Sequence, residues 1–301
     1  MKFLNYGSLN IDKIYEVEHF VRAKETCASL SYYELPGGKG LNQSIALARL
    51  NIPVYHAGKI GKDGLFLKDL LEKQGVNTKY LQISDEVSGH AIIQVDQQGE
   101  NCILLYGGAN QTITSDEIKM TFKDFSKGDF LFLQNEVNRI DEMINLAKEK
   151  EMLVVLNPSP VNNIKEKISF EQIDYLILNE VEGQVLTNQE KPEKILETLI
   201  QEYPHIKIIL TLGSQGAIYQ DCQQIIRQSA YPCSYLDTTG AGDTFTGFFF
   251  SVYFTSNDIS YALKKAAQAS SLAITRKGGA SAIPTWQELE KIIRRILWTY
   301  S

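Results

Sequence analysis

The segment Asp237-Thr238-Thr239-Gly240-Ala241-Gly242-Asp243-Thr244-Phe245-Thr246-Gly247-Phe248 runs from small residues through an acid into an apolar stretch. Small residues at 240 to 242 let a backbone approach an anion closely, and the apolar residues from Phe245 onward predict a buried helix beginning there. A helix start offers free N–H groups and the positive end of the macrodipole. Both suit a phosphoryl group whose charge spreads during transfer. Asp243 is unsuited to hold phosphate, because like charges repel, and suited to accept a proton from an attacking hydroxyl. A Gly-rich strand-to-helix turn with the acid as a cap accounts for the same residues equally well.

A second segment, Pro36-Gly37-Gly38-Lys39-Gly40-Leu41-Asn42-Gln43-Ser44, leads into the helical pattern Ile45, Ala46, Leu47, Ala48, Leu50. Three glycines around a lysine describe backbone amides open to a polar ligand, with Lys39 and Asn42 able to donate hydrogen bonds. The order of residues is not that of a Walker P-loop. A turn carrying a solvated lysine is the plainer account.

The elements that must hold these segments follow from periodicity. From about residue 130, the β-prone runs Phe130 to Leu133, Leu153 to Leu156, Tyr175 to Leu178 and Ile208 to Leu212 alternate with stretches such as Ile140 to Lys150 and Pro192 to Glu202. Those stretches are long enough to cross over as helices, which predicts an α/β fold with a parallel sheet covered on both faces. Ala91 to Asp96 and Glu100 to Tyr106 flank a Gly-containing turn and predict a hairpin. Ile11 to Val17 and Cys27 to Leu35 are also β-prone, so the two insertions can pair into a small sheet, a lid, beside the main one. Thr285-Trp286-Gln287-Glu288 has the form of a capping box opening a helix to about Leu297.

Composition narrows the function. The 301 residues are 44% hydrophobic and 22% charged, which excludes wholesale disorder and a disulfide-stapled miniprotein. A net charge of −6 disfavours nucleic acid as a partner. Cys27, Cys102, Cys222 and Cys233 form no Cys-x-x-Cys pair and read as reduced thiols. The N-terminus lacks a secretion signal, and the most apolar run, Gly247 to Phe254, is far short of the roughly 20 residues of a membrane span. A soluble, cytoplasmic protein is expected.

Gly37-Gly38-Lys39-Gly40-x-Asn42 early in the chain and Asp237-Thr238-Thr239-Gly240-Ala241-Gly242-Asp243 late in it are, in that order, similar to the two signatures of the ribokinase-like (PfkB) family of carbohydrate kinases. Further likenesses lie in Gly7-Ser8-Leu9-Asn10-Ile11-Asp12, Gly99-Glu100-Asn101 with Gly108-Ala109-Asn110, Leu156 to Pro160, Asn179-Glu180-Val181-Glu182, Thr211 to Gly216, and Thr275 to Gly278. The resemblance spans nearly the whole chain. It implies one domain over residues 1–301, a three-layer α/β/α sandwich with a mostly parallel central sheet, and a β-sheet lid formed by about 10–36 and 89–107. The implied activity is transfer of the γ-phosphoryl of ATP to a primary hydroxyl, with D-ribose as the expected acceptor and another pentose, a ketohexose or a nucleoside as alternatives. A non-catalytic sugar- or nucleotide-binding regulator is a further alternative, against which the set Asp243, Gly242, Glu182 and Lys39 speaks.

By the same resemblance, Asn10, Asp12, Gly38, Lys39, Asn42 and Glu136 hold the sugar hydroxyls. Asp243 is the base, and Gly240, Ala241 and Gly242 form the anion hole. Asn179 and the strand and turn Thr211, Leu212, Gly213, Ser214, Gln215 and Gly216 receive ATP. Glu182 organises Mg²⁺ through water. Asp237, Thr239, Ala273, Arg276 and Gly278 surround a monovalent cation, usually K⁺. Ala282 replaces a serine frequent in the cation loop, and Ala267 an asparagine or histidine beside the adenine. A homodimer through the lid is implied as well. An acid at a helix N-terminus is expected to have a low pKa, tolerable because a loose transition state asks for proton removal late.

Overall fold

The computed structural model describes residues 1–291. Its strands, in chain order, are β1 (Phe3–Tyr6), β2 (Asn10–Glu16), β3 (Ser31–Gly37), β4 (Val54–Gly61), β5 (Asn77–Ser84), β6 (Gly89–Val95), β7 (Asn101–Tyr106), β8 (Phe130–Gln134), β9 (Leu153–Asn157), β10 (Tyr175–Asn179), β11 (Lys207–Thr211), β12 (Ala217–Gln220) and β13 (Ile225–Gln228). The helices are α1 (Lys39–Ala48), α2 (Leu65–Lys73), α3 (Ser115–Phe122), α4 (Ile140–Glu149), α5 (Ile164–Lys167), α6 (Glu180–Thr187), α7 (Pro192–Glu202), α8 (Ala241–Ser256) and α9 (Ile259–Ala273). Nine strands form one sheet in the order β13-β12-β11-β10-β9-β8-β1-β4-β5. Every pairing from β11 to β5 is parallel, and β12 and β13 close one edge antiparallel.

Side chains that alternate along a strand feed two separate cores. Phe3, Phe130 and Phe132 face the layer of α1, α2, α8 and α9, while Leu4, Leu131 and Leu133 face that of α3, α4, α6 and α7. Continuous apolar runs therefore mark strands covered on both sides, as expected. Among the described residues no helix is long and apolar enough to cross a membrane.

The smaller sheet has the order β3-β2-β6-β7, with β2 and β6 parallel between two antiparallel neighbours. The hairpin and both insertions appear where the sequence predicts them, with one shift: β3 begins at Ser31, so Cys27 to Leu30 lie outside it. The late helix also differs, starting at Ala241 and not near Phe245. Gly240 supplies a left-handed N-cap (φ 73°), which turns the chain into the helix ahead of the apolar run. The capping box at Thr285 and Glu288 is present, with reciprocal bonds of 2.7 and 3.2 Å, and the expected course to Leu297 lies outside the described residues.

One packing contact governs the relation between the two chemistry-bearing segments. α1 and α8 cross where Gly247 meets Ala46, and a Cβ at 247 would lie 2.2 Å from the Cβ of Ala46. Ser251 Oγ donates to the carbonyl of Leu47 at 2.8 Å beside this crossing. Gly247→Val forces the helices apart, with an expected destabilisation of about 1–3 kcal/mol. Because α1 and α8 carry opposite walls of the candidate site, turnover falls with it. Denaturant midpoints and steady-state rates check both.

Candidate active site

The carboxyl ends of the parallel strands open onto one cleft, as in other open α/β sheets. Its volume is about 210 Å³, and Lys39, Asn179, Glu182, Thr211, Gly240, Ala241, Gly242 and Asp243 are in its walls, with Asn157, Ser159 and Thr238 beside them. The glycine–lysine turn and the late acid, far apart in sequence, thus share a cavity.

Asp243 occupies the first turn of α8. Asn42 Nδ2 donates to its Oδ2 at 3.0 Å and Gln43 Nε2 to its Oδ1 at 2.9 Å. These bonds and the charge of Lys39 favour the carboxylate, yet burial outweighs them and pushes its pKa up to about 6. The expected low pKa is therefore corrected: the helix terminus acts on a group whose desolvation costs more. A carboxylate with a pKa near 6 is also better suited to accept a proton at neutral pH than one near 4. The amides expected to form an anion hole differ in their engagement. The amide of Ala241 is spent on the carbonyl of Thr238 at 3.2 Å, while those of Gly240, Gly242 and Asp243 have no partner among the described residues.

On the opposite wall, Lys39 Nζ donates to Glu136 Oε1 at 2.9 Å, and Glu136 Oε2 accepts from the hydroxyl of Ser8 and, at 3.3 Å, from the amide of Lys39. Burial disfavours the ammonium, but Glu136 and Asp243 raise its pKa overall. Asp12, in β2, packs against Gly37; burial and the charge of Glu136 push its pKa up to about 7. Asn10 starts β2, where its Oδ1 accepts from Asn110 at 2.8 Å. Gly38 (φ 97°) caps α1 in a conformation that side chains rarely adopt.

On the remaining wall, Asn179 and Glu182 form a capping box for α6, with bonds of 2.9 and 3.0 Å. Glu182 is at once a cap of α6 and a buried acid on the cleft. Of the segment from Thr211 to Gly216, only Thr211, the last residue of β11, lines the cleft. Gly213, Ser214 and Gln215 are exposed, and Leu212 and Gly216 are buried and joined by a 2.7 Å backbone bond. Asp237 ties two loops together, accepting from the amides of Thr239 at 2.9 Å and Gly278 at 2.8 Å. Burial would raise its pKa, but these hydrogen bonds lower it. The carbonyls of Thr239, Arg276 and Gly278 accept no hydrogen bond among the described residues, whereas that of Ala273 accepts from Arg276 at 3.0 Å and is less suited to a cation. Ala282 and Ala267 are both buried and offer no polar group.

The sequence reading passed over Gln43, Ser8, Asn5 and Gln134. Asn5 and Gln134 carried a signal: each is a polar residue in a strand otherwise apolar on both faces, and such a group must be paired inside.

A family model described as pfkB family carbohydrate kinase matches residues 2–286. The chain belongs to this family. It is 32% identical over 292 residues to the ribokinase of Bacillus subtilis (strain 168), covering 95% of this chain and 97% of that one. It is 29% identical over 306 residues to the deoxyribokinase of Salmonella typhi, covering 95% and 97%. The structure of Arabidopsis thaliana ribokinase complexed with ribose and ATP matches with a TM-score of 0.83 and 27% identity over 96% of this chain and 97% of that one. The α/β architecture and the enzyme class read from the two signatures are those of this carbohydrate kinase family.

For a carbohydrate kinase, the raised Asp12 has a cost measurable without substrate. Its folded pKa, near 7, exceeds the ordinary carboxyl value of 3.8, so its stabilising protonated form is complete below about pH 4 and lost as pH rises through 7. Asp12→Asn is therefore expected to be more stable than the parent at pH 8, by on the order of 1–2 kcal/mol, with the gap closing toward pH 4. Thermal unfolding across pH checks the sign.

Proposed function

We propose that the chain transfers the γ-phosphoryl of ATP to the primary hydroxyl of D-ribose, giving ribose 5-phosphate and ADP. One observation carries this: the Asp243 carboxylate is fixed by two amides of α1, beside unpartnered amides of Gly242 and its own residue, in a cleft that also holds Lys39 and Glu182. Asn10, Asp12, Lys39, Asn42 and Glu136 bind the sugar hydroxyls, carboxylates accepting and nitrogens donating. The sugar O–H gives its proton to Asp243 as its oxygen bonds to the γ-phosphorus. The bond from that phosphorus to the β-phosphate oxygen breaks, and ADP leaves. The amides of Gly242 and Asp243, at the positive end of α8, meet the charge on the migrating group. Asn179 and the strand and turn from Thr211 to Gly216 receive the nucleotide.

A divalent ion bound with the nucleotide neutralises phosphate charge. Among the described residues there is no group of three or more His, Cys, Asp or Glu able to hold a metal, so such an ion would draw most ligands from phosphates and water. Glu182, with one oxygen spent on its cap, fits a contact through water. The free carbonyls near Asp237 fit a hard monovalent cation such as K⁺. We also propose a cytosolic setting, where the four unpaired thiols stay reduced. The smaller sheet serves as a lid and as the face of a homodimer, because every residue of its edge strand β7, including Ile103, Leu104 and Leu105, is exposed.

Asp243→Asn is expected to lower kcat by about 10²–10⁴-fold with sugar KM near the parent value. ADP release from ribose, 2-deoxyribose, ketohexoses and nucleosides, with and without K⁺, tests the acceptor and the cation. A preference for a nucleoside, or comparable turnover in Asp243→Asn, overturns the reading. In the parent, kcat/KM falls below about pH 6 as the base of the free enzyme is protonated.

A further inference from the structure

The two amides that clamp Asp243 differ in what stands behind them. Asn42 Oδ1 is buried with no partner. Gln43, in contrast, heads a chain of polar side chains running away from the cleft. Its Oε1 accepts from Gln134 Nε2 at 2.7 Å, and the same nitrogen donates to Asn5 Oδ1 at 3.0 Å. Asn5 Nδ2 donates to the Gly40 carbonyl and to Ser44 Oγ, both at 2.8 Å, and Ser44 Oγ lies 2.8 Å from His56 Nδ1. Gln43, Gln134, Asn5, Ser44 and His56 are all buried, and none lines the cleft.

A buried polar chain of this length is an expensive way to fill space, since apolar residues of like volume would pack there without needing partners. What it supplies is direction. A carboxylate only accepts, so Gln43 must turn Nε2 toward Asp243, which leaves Oε1 pointing inward and in need of a donor. Gln134 provides that donor while also serving Asn5, and rotating its amide would set an oxygen against two oxygens. The Asn5 amide is committed in turn by Gly40 and Ser44. With both ends engaged, the Gln43 amide has one orientation.

We propose that Gln43, oriented by Gln134 and Asn5, is a positioning residue for phosphoryl transfer, holding the Asp243 carboxylate in a single plane toward the cleft in its proton-accepting form. The proposal rests on the reading of Asp243 as the base. The charged groups facing that carboxylate are Lys39, which favours ionisation, and Glu136, which opposes it. The donor from Gln43 adds to Lys39 from a neutral group, without neutralising the base.

The test compares the parent with Gln43→Met and Gln134→Glu. Gln43→Met keeps the volume and loses the donor. Gln134→Glu keeps the shape but puts an oxygen where Gln43 and Asn5 need a hydrogen, driving the Gln43 amide to turn its own oxygen on Asp243. For each variant kcat and sugar KM are measured from pH 5 to 9, and the Asp243 carboxyl is titrated by ¹³C NMR in the free protein. Both variants are expected to lose about 10–100-fold in kcat with KM changed less than about threefold, and to shift the acid limb and the Asp243 titration to higher pH. The Gln134→Glu loss is at least as large as that of Gln43→Met, although residue 134 touches no substrate. An unchanged acid limb and carboxyl titration in Gln43→Met, with Asp243→Asn inactive, overturns the proposal and leaves the base intact. An active Asp243→Asn instead overturns the reading beneath it. Should Gln134→Glu fail to fold, Gln43→Met and the NMR titration decide alone.

Discussion

Everything at this site depends on holding a carboxylate in a poorly solvated place without neutralising it. Asp243 sits in the first turn of one helix and is gripped by side chains from the first two turns of another, so two helix starts converge on one acid. Burial works against its charge, while two amide donors, the Lys39 ammonium and the positive ends of α1 and α8 work for it. The resulting pKa near 6 leaves the acid ionised at neutral pH and still able to take a proton. This balance explains why the helix crossing at Gly247 and Ala46 is so close: a wider crossing would lengthen both hydrogen bonds to the acid together.

The same economy appears across the cleft. Carboxylates outnumber ammonium groups there, with Asp12, Glu136, Glu182 and Asp243 around Lys39. Lys39 is drawn to Glu136, and Asp12 keeps a raised pKa because burial and the charge of Glu136 outweigh the pull of Lys39. Such a cluster is unfavourable in the free protein, and hydrogen-bond donors or cations entering it would relieve that cost. Lys39, Glu182 and Asp243 each sit at a helix start, Asp12 in the smaller sheet and Glu136 in the turn after β8, so the cluster draws on both sheets.

Much of this was legible in the sequence because it is local. Continuous apolar runs gave the strands of a sheet covered on both faces, and Gly37 to Gly40 and Gly240 to Gly242 marked backbone that must approach something closely. Thr285 and Glu288 announced a cap through their spacing. The start of α8 was misjudged for a local reason too: the apolar run begins at Phe245, but the left-handed Gly240 starts the helix before burial begins.

Residue types, spacing and order therefore determined the layered α/β architecture and the two glycine-rich turns at helix starts, since each follows from backbone sterics and short-range periodicity. The tertiary structure alone decided the raised pKa of Asp243, which amide at the start of α8 is already spent, and the partnership of Gln43 with Gln134 and Asn5. Those properties depend on desolvation and on hydrogen bonds between residues distant in the chain, and neither exists until the sheet and its helices have packed.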